Sequence, residues 1–461
     1  MEGLKNFFDM VGGWVWGPVM LALLVGTGVL LTIRLVGLQF SMLPYALKLA
    51  FFPHPKKEDG SDHEGDISHF GALMTALSAT IGTGNIAGVA TAVILGGPGA
   101  VFWMWVTAIF GMATKYGEGV LAVKYRITNV KGEMSGGPMY YIEYGLKQKW
   151  LAMLFALFGT IASFGIGSSV QSNSVAQAVH SSFGVDQVYT GVVLTVLTAI
   201  VVLGGIRSIA TASSFIVPVM AVLYVAGGLV IIALNLDKVG SAISMIMSDA
   251  FSGTAIAGGA IGTVIRYGVA RGVFSNEAGM GSAPIAAAAA KTDHSVRQAL
   301  VSMTGTFLDT IVVCSITGIV LVMGLTHGTE FTPLLGEDGK AVTGAVLTGK
   351  VFDQLLPGPG GWIVTIGLIF FAYSTILGWC YYGEKCAAYV FGDRSANLYR
   401  VIYVASVMVG TIASLDLVWA AADTFNGLMA VPNLIALVLL SGVIVKETKD
   451  FKAKRASGEL P

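Results

Sequence analysis

The chain has 461 residues, of which 54% are hydrophobic and only 12% charged, and its mean hydropathy is +0.75. Soluble domains carry roughly twice that charged fraction, so a water-soluble multidomain protein is excluded. Twenty-seven basic residues balance 27 acidic ones, which leaves no basic face for nucleic acid.

A membrane-spanning helix needs about 20 mainly apolar residues. Eleven stretches qualify, near 14–36, 68–95, 98–123, 150–179, 187–206, 211–235, 257–290, 298–325, 361–390, 398–414 and 417–445. The first is too long for a signal-peptide core and lacks a small-residue cleavage site, so it is expected to be retained. The polar run Pro53–Asp66 then separates it from the other ten. With the N-terminus outside, twenty Lys and Arg fall on the inner face, four on the outer face and three within spans. That bias is the positive-inside pattern and predicts a cytoplasmic C-terminus.

Ten spans after the linker divide into five plus five. An odd number per half makes the halves cross in opposite senses, an inverted repeat deduced from parity. The expected organisation is an extra N-terminal helix and linker (1–66), a first five-helix repeat (67–235), a second (236–445) and a cytoplasmic tail (446–461). The fold class is therefore all-α, polytopic and membrane-embedded.

The second and seventh spans are interrupted. Ser78-Ala79-Thr80-Ile81-Gly82-Thr83-Gly84-Asn85-Ile86-Ala87-Gly88 breaks one, and Gly272–Ser282 breaks the other about 190 residues later. Irregular backbone at membrane depth must face protein, water, ion or ligand. Two interrupted spans at corresponding places in two halves point to a secondary transporter's binding site.

At the first break, Gly82 and Gly84 permit unwinding and close approach. The N–H groups of Thr83, Gly84 and Asn85 then open the following half-helix and suit a carboxylate. The carbonyls of Ser78, Thr80 and Ile81 suit a cation. Asn85 offers a side-chain oxygen to a second Na⁺ or caps the helix. At the second break, Phe274 can close over an apolar side chain and Asn276 can hydrogen-bond a substrate. Glu277 is costly in a membrane and must be paired or functional. It either pairs with Arg271 or Arg266 or acts in proton or ion coupling, and Arg271 is a rival partner for a substrate carboxylate.

Asp309 is an isolated intramembrane acid, a candidate for a second cation site or an ion pair with an arginine of the broken span. Gln171 and Asn173 form a polar patch on the fourth span and serve either substrate or interhelical hydrogen bonds. Trp379 can wall a small pocket or simply pack. Cys314, Cys380 and Cys386 sit in apolar segments and suggest no disulfide framework. The six histidines show no metal spacing, and there is no Walker loop for ATP. No nucleophile–base pair argues for an intramembrane enzyme, and no rings of charge argue for a channel.

The run Gly96-Gly97-Pro98-Gly99-Ala100-Val101-Phe102-Trp103-Met104-Trp105-Val106-Thr107-Ala108-Ile109-Phe110-Gly111 resembles the signature of the sodium:alanine symporter family, also called alanine or glycine:cation symporters. Gly82–Gly88, Gly272–Pro284 and Tyr373–Lys385 resemble that family too. The resemblance implies a leucine-transporter-type bundle with one extra helix in front, in a prokaryotic cell membrane. It implies Na⁺-coupled uptake of alanine or glycine, with H⁺ coupling as the alternative, and neither an organic cofactor nor an obligatory protein partner. Ser374 and Thr375 resemble the Na⁺ ligands of that fold and would join the carbonyls of Ser78 and Ile81. The competing role for such hydroxyls is a bond back to their own helix. The substrate-binding set implied is Thr80, Gly82, Thr83, Gly84, Gln171, Phe274, Asn276 and Trp379.

Overall fold

A computed structural model describes residues 2–52, 63–251, 260–328, 330–336, 339–413 and 416–460. The start of the expected seventh span (257–259) and most of the 53–66 linker lie outside the described residues.

The chain is helical almost throughout. Two helices, α1 (Glu2–Val15) and α2 (Pro18–Arg34), meet at a 40° bend. Gly17 and Pro18 explain it, because proline supplies no N–H and is tolerated only in a first turn. The expected first span is thus a bent pair beginning near residue 2. Next, α3 (His69–Thr80) starts where the Ser68 hydroxyl caps the Gly71 N–H at 3.0 Å. It ends at Ile81, whose ψ of 93° leaves the helical region. The chain resumes as a π-helical turn, Gly84–Gly88, and α4 (Val89–Gly96), inclined 51° to α3. Gly97, at φ +86°, ends that crossing.

The long helix α5 (Ala100–Lys124) follows. Then come α6 (Lys149–Ala162) and α7 (Val170–Phe183), joined through a π-helical stretch at Ser163–Ser169, and α8 (Gln187–Val202) and α9 (Gly205–Leu234). One face of α8 exposes Val192, Val193, Val196 and Ile200, which is the surface lipid requires. A helix absent from the sequence expectation, α10 (Leu236–Ala250), follows. Asp249 there accepts the Gly99 N–H at 2.8 Å. Its two charged ends and intermittent apolar positions conceal it from a search for 20-residue runs.

The second interrupted crossing is α11 (Ala260–Asn276), then non-helical chain, then a short turn of helix at Pro284–Ala287. It is followed by α12 (Ser295–Thr306), a π-helical stretch Phe307–Cys314 and α13 (Ser315–Leu325). A further unanticipated helix, α14 (Gly344–Leu355), packs on α15 (Pro359–Phe391). The chain closes with α16 (Ser395–Ile412), α17 (Asp416–Leu439) and α18 (Ser441–Ala456). The expected tail is therefore a helix, seated by buried Phe451 and by a 2.7 Å Tyr116–Thr448 hydrogen bond to α5.

Among the described residues, six helices are long and apolar enough to cross a membrane, and eight if each bent pair counts as one span. The other three expected crossings fall on α5, which carries buried Lys115 and Glu118, on the 16-residue α8, and on α11.

Two sets of contacts join the ends of the interrupted crossings. Ile67 and Ala290 form a parallel bridge, with Lys291 N–H donating to the Ile67 carbonyl at 2.7 Å and Asp66 N–H to the Ala289 carbonyl at 2.8 Å. Arg126 donates to the carbonyls of Ala288 and Ala290 at 3.0 and 2.7 Å. One end of each interrupted crossing is thereby tied to the other. Meanwhile α15 lies against α3 at Gly378, where a β-carbon would come within 2.8 Å of the Ala79 nitrogen. Small residues allow such backbone approach in membrane bundles. Gly378→Val should destabilise the protein by about 1–3 kcal/mol, read as a lowered midpoint of thermal unfolding in detergent.

Candidate functional site

The first break is short. Ile81 and Gly82 are non-helical, and Thr83 begins the second half-helix. The Gly82 N–H donates to Asn85 Oδ1 at 2.9 Å, and the Asn85 N–H donates to the Gly82 carbonyl at 3.2 Å. No such bond from the Thr83 or Gly84 N–H reaches the preceding helix. These donors open a half-helix and carry its partial positive charge.

The second break begins later than the sequence suggests, at Glu277. Phe274, Ser275 and Asn276 form the last turn of α11. Glu277 adopts φ +55°, a left-handed conformation uncommon outside glycine, and Gly279 and Gly281 follow at +90° and +83°. Freed backbone groups here are taken up by α5. Lys115 Nζ donates to the Asn276 carbonyl at 2.8 Å, and Glu118 Oε1 accepts the N–H groups of Gly279 and Gly281, each at 3.1 Å. Asn433 on α17 donates to the same Glu118 oxygen at 2.7 Å and to the Gly279 carbonyl at 2.9 Å. Lys115 and Glu118, one helical turn apart, thus close both polar ends of the unwound segment. Sequence reasoning placed Lys115 within a span and assigned it no role. Its spacing of three from Glu118 on an otherwise apolar helix was the available signal.

Glu277 does not pair with Arg271 or Arg266. It accepts the Ser282 hydroxyl at 2.5 Å, and the basic side chain whose charge bears on it is Lys115. Arg271 stacks its guanidinium over the Phe274 ring, 5.6 Å from the centroid, and lines a separate 240 Å³ cavity with Arg266, Asp423 and Trp16. Phe274 divides that cavity from the first break, which places Arg271 away from the break's amide donors.

Asp309 is neither arginine-paired nor isolated. Its carboxylate accepts Asn85 Nδ2 at 2.7 Å, Ser275 Oγ at 2.9 Å and Thr310 Oγ1 at 2.8 Å. It therefore joins the first break, through Asn85, to the last turn of α11, through Ser275. Asn85 is engaged on both sides of its amide by Gly82 and Asp309.

Seven of the eight residues expected to bind substrate line one enclosed cavity. Thr80, Gly82, Thr83 and Gly84 line it together with Gln171, Phe274 and Trp379, and Ala79, Ile166, Glu277, Thr375 and Asn426 complete the lining. The enclosed volume is about 10 Å³, near what one water occupies. Asn276 stands outside it: its amide donates to Thr310 Oγ1 at 3.1 Å and accepts the Ala278 N–H at 2.9 Å. Gln171 donates to Thr83 Oγ1 at 3.3 Å. Asn173 turns instead to the Gly410 carbonyl on α16 at 3.1 Å, an interhelical bond.

Of the four residues expected around Na⁺, the structure brings Thr375 and Ile81 together, with Oγ1 3.4 Å from the carbonyl oxygen. The Ser374 hydroxyl donates to the Phe371 carbonyl at 2.9 Å and to Met220 Sδ at 3.4 Å, and Ser78 Oγ donates to the Thr75 carbonyl at 2.7 Å. Both hydroxyls bond back along their own helices, and so does Thr375 Oγ1, which donates to the Phe371 carbonyl at 2.9 Å. The Ser78 side of α3 nonetheless faces α15, since a β-carbon on Gly378 would sit 2.7 Å from Ser78 Oγ. Among the described residues no group of three or more His, Cys, Asp or Glu forms a metal cluster.

Two interrupted crossings facing one closed cavity define a membrane transporter of the leucine-transporter type. A solved structure supports that fold: the crystal structure of MhsT in complex with L-phenylalanine aligns at TM-score 0.53 and 14% identity, covering 83% of this chain and 98% of that one. The family model "Sodium:alanine symporter family" matches residues 1–461. The sodium/alanine symporter AgcS of Methanococcus maripaludis is 61% identical over 454 residues, 98% of each chain. The putative sodium/proton-dependent alanine carrier protein YrbD of Bacillus subtilis is 36% identical over 467 residues, 99% of this chain and 94% of its own. The chain belongs to the sodium:alanine symporter family, and it is a multi-pass membrane transporter of amino acids and not an enzyme.

A β-carbon on Gly82 would lie 2.5 Å from Thr375 Oγ1, so Gly82→Ala should abolish transport while leaving a folded protein in fluorescence-detected size exclusion. Glu118→Gln keeps the shape but removes the charge that holds three donors. It should cost about 3 kcal/mol, measured as loss of thermal stability, with a smaller loss in a variant where Lys115 is also neutralised.

Proposed function

We propose that the protein imports small neutral amino acids, alanine and glycine, together with Na⁺, by alternating access. One observation carries this: the break at Ile81–Gly82 presents unpaired N–H donors and a carbonyl, facing Thr375, to the same enclosed cavity. The N–H groups of Thr83 and Gly84 take the substrate carboxylate. The Ile81 carbonyl and Thr375 Oγ1 take Na⁺, joined by Ser78 and Ser374 once their hydroxyls turn from their own helices. Asn85 and Asp309 supply oxygens for a second cation. Phe274 and Trp379 close over the side chain, and the restricted volume between them favours a methyl group or hydrogen.

In this scheme the ion fixes the unwound backbone and the amino acid completes it. The repeats 67–235 and 236–445 then rock about the site, while 1–66 and 446–461 brace them. The N-terminus lies outside and the C-terminus in the cytoplasm. One Na⁺ descending about 100 mV supplies about 2.3 kcal/mol. A tenfold gradient adds about 1.4, together enough for roughly several-hundred-fold accumulation.

A proton-coupled version has its own support in Glu277 and Asp309, two buried carboxylates beside the breaks, and in the sodium/proton wording attached to the B. subtilis relative. Uptake of labelled alanine into proteoliposomes, under an imposed Na⁺ or H⁺ gradient, separates the two. An inward Na⁺ gradient at equal pH should drive accumulation. Thr375→Ala should raise the Na⁺ concentration for half-maximal uptake more than tenfold. Uptake driven by H⁺ alone, or an unchanged Na⁺ dependence in the variant, would overturn the ion assignment.

A further inference from the structure

Lys115 lies well inside α5, away from the Lys124 end, and is 2% exposed. A charge at that depth is costly and persists where it is paired or has a function. Among the described residues its hydrogen-bond acceptor is a single backbone carbonyl, that of Asn276 at 2.8 Å. An ammonium has three N–H donors, so most of its bonding capacity is left over. There is room beside it, a cavity of about 10 Å³ lined also by Thr80, Pro284 and Ser302, in which Lys115 is the one charged group.

That position has the character of an ion site. Carbonyls that end a helix carry its partial negative charge and attract cations. Three buried carboxylates, Glu118, Glu277 and Asp309, act on the same ammonium. Glu118 gives Oε1 to the Gly279 and Gly281 N–H groups and to Asn433, and its Oε2 has no hydrogen-bond partner. Its charge is therefore not spent in a hydrogen bond to Lys115. A lysine seated on a helix-ending carbonyl amid carboxylates does what a bound monovalent cation would do.

We propose that Lys115 is a tethered cation filling a monovalent-cation site at the second break, where its ammonium positions the end of α11 in place of an ion drawn from solution. The second break is then held whatever the Na⁺ concentration. In the coupling scheme proposed above, on which the transport readout below rests, Na⁺ is needed at the first break alone. Lys115 is a positioning residue in this account, since it touches α11 and not the substrate.

Full-length Lys115→Met tests this, because methionine keeps the stem out to the ε-carbon and vacates the space of the amino group. In detergent, the wild type should unfold at the same temperature in ammonium chloride and in choline chloride of equal concentration. The variant should unfold at a lower temperature in choline and regain at least half of the loss in ammonium. In proteoliposomes, its alanine uptake should depend more steeply on Na⁺, with a Hill coefficient raised by about one. Lys115→Arg, which keeps a tethered charge, should not respond to ammonium. Lys115→Met with Glu118→Gln removes one charge of each sign and guards against a single variant that fails to fold. It should keep the ammonium response through the Asn276 carbonyl. A folded methionine variant, single or double, that unfolds identically in the two salts overturns the proposal and leaves Lys115 a structural cap. So does an unchanged steepness for Na⁺ in Lys115→Met, or an equal ammonium response in the wild type or in Lys115→Arg. Absence of Na⁺-driven uptake in the wild type would overturn the coupling scheme, and the unfolding comparison would still decide the role of Lys115.

Discussion

Backbone groups freed inside a membrane have to find partners, and the two interrupted crossings meet that demand in opposite ways. At the second, the protein supplies its own ions: Lys115 takes the carbonyl that ends α11, and Glu118 takes the N–H groups that follow. At the first, the chain supplies one amide, Asn85, and leaves other donors facing a cavity. One break is finished by the fold; the other, in the function proposed above, is completed by ion and substrate. On that proposal the cost of unpaired polar groups in a low-dielectric interior serves recognition at one site and rigidity at the other.

Asp309 connects these unlike sites. It accepts from Asn85 on one side and from Ser275 on the other, so neither half-helix end can shift without disturbing a shared carboxylate. Because Asn85 passes the contact on to the Gly82 N–H, the position of the first break is referenced to the second across three hydrogen bonds joining four groups. Such networks polarise one another in a low dielectric. On the function proposed above, an ion or substrate altering the Gly82 region would act on α11 through these atoms.

Much of this was legible in the residues. The glycines at 82 and 84 and the polar run around 275–277 announced interrupted helices, because nothing else tolerates such composition at membrane depth. Gln171, Phe274 and Trp379 converge on the break as their polarity and position suggested. The partnerships were less accessible. Glu277 has two arginines close in sequence, but helix geometry turns Arg271 to the far face of Phe274, and the basic neighbour comes instead from α5. Asn276 is polar and adjacent to the break, yet it is consumed in capping Ala278. Asn426 gave no sign at all, since an asparagine in an apolar helix looks the same whether or not its amide finds a partner. Helices α10 and α14 escaped for a different reason: they are too short and too polar to register as crossings.

The bridge between Asp66–Ile67 and Ala289–Lys291 has a mechanical corollary. Strands of backbone stitched together by hydrogen bonds resist shear far better than helices touching through glycines and methyl groups. Arg126 grips the neighbouring carbonyls of Ala288 and Ala290, so that end of the two crossings is pinned from both sides. At the other end α4 and α11 meet through side chains, where a β-carbon on Gly96 would lie 2.9 Å from the Tyr267 Cβ.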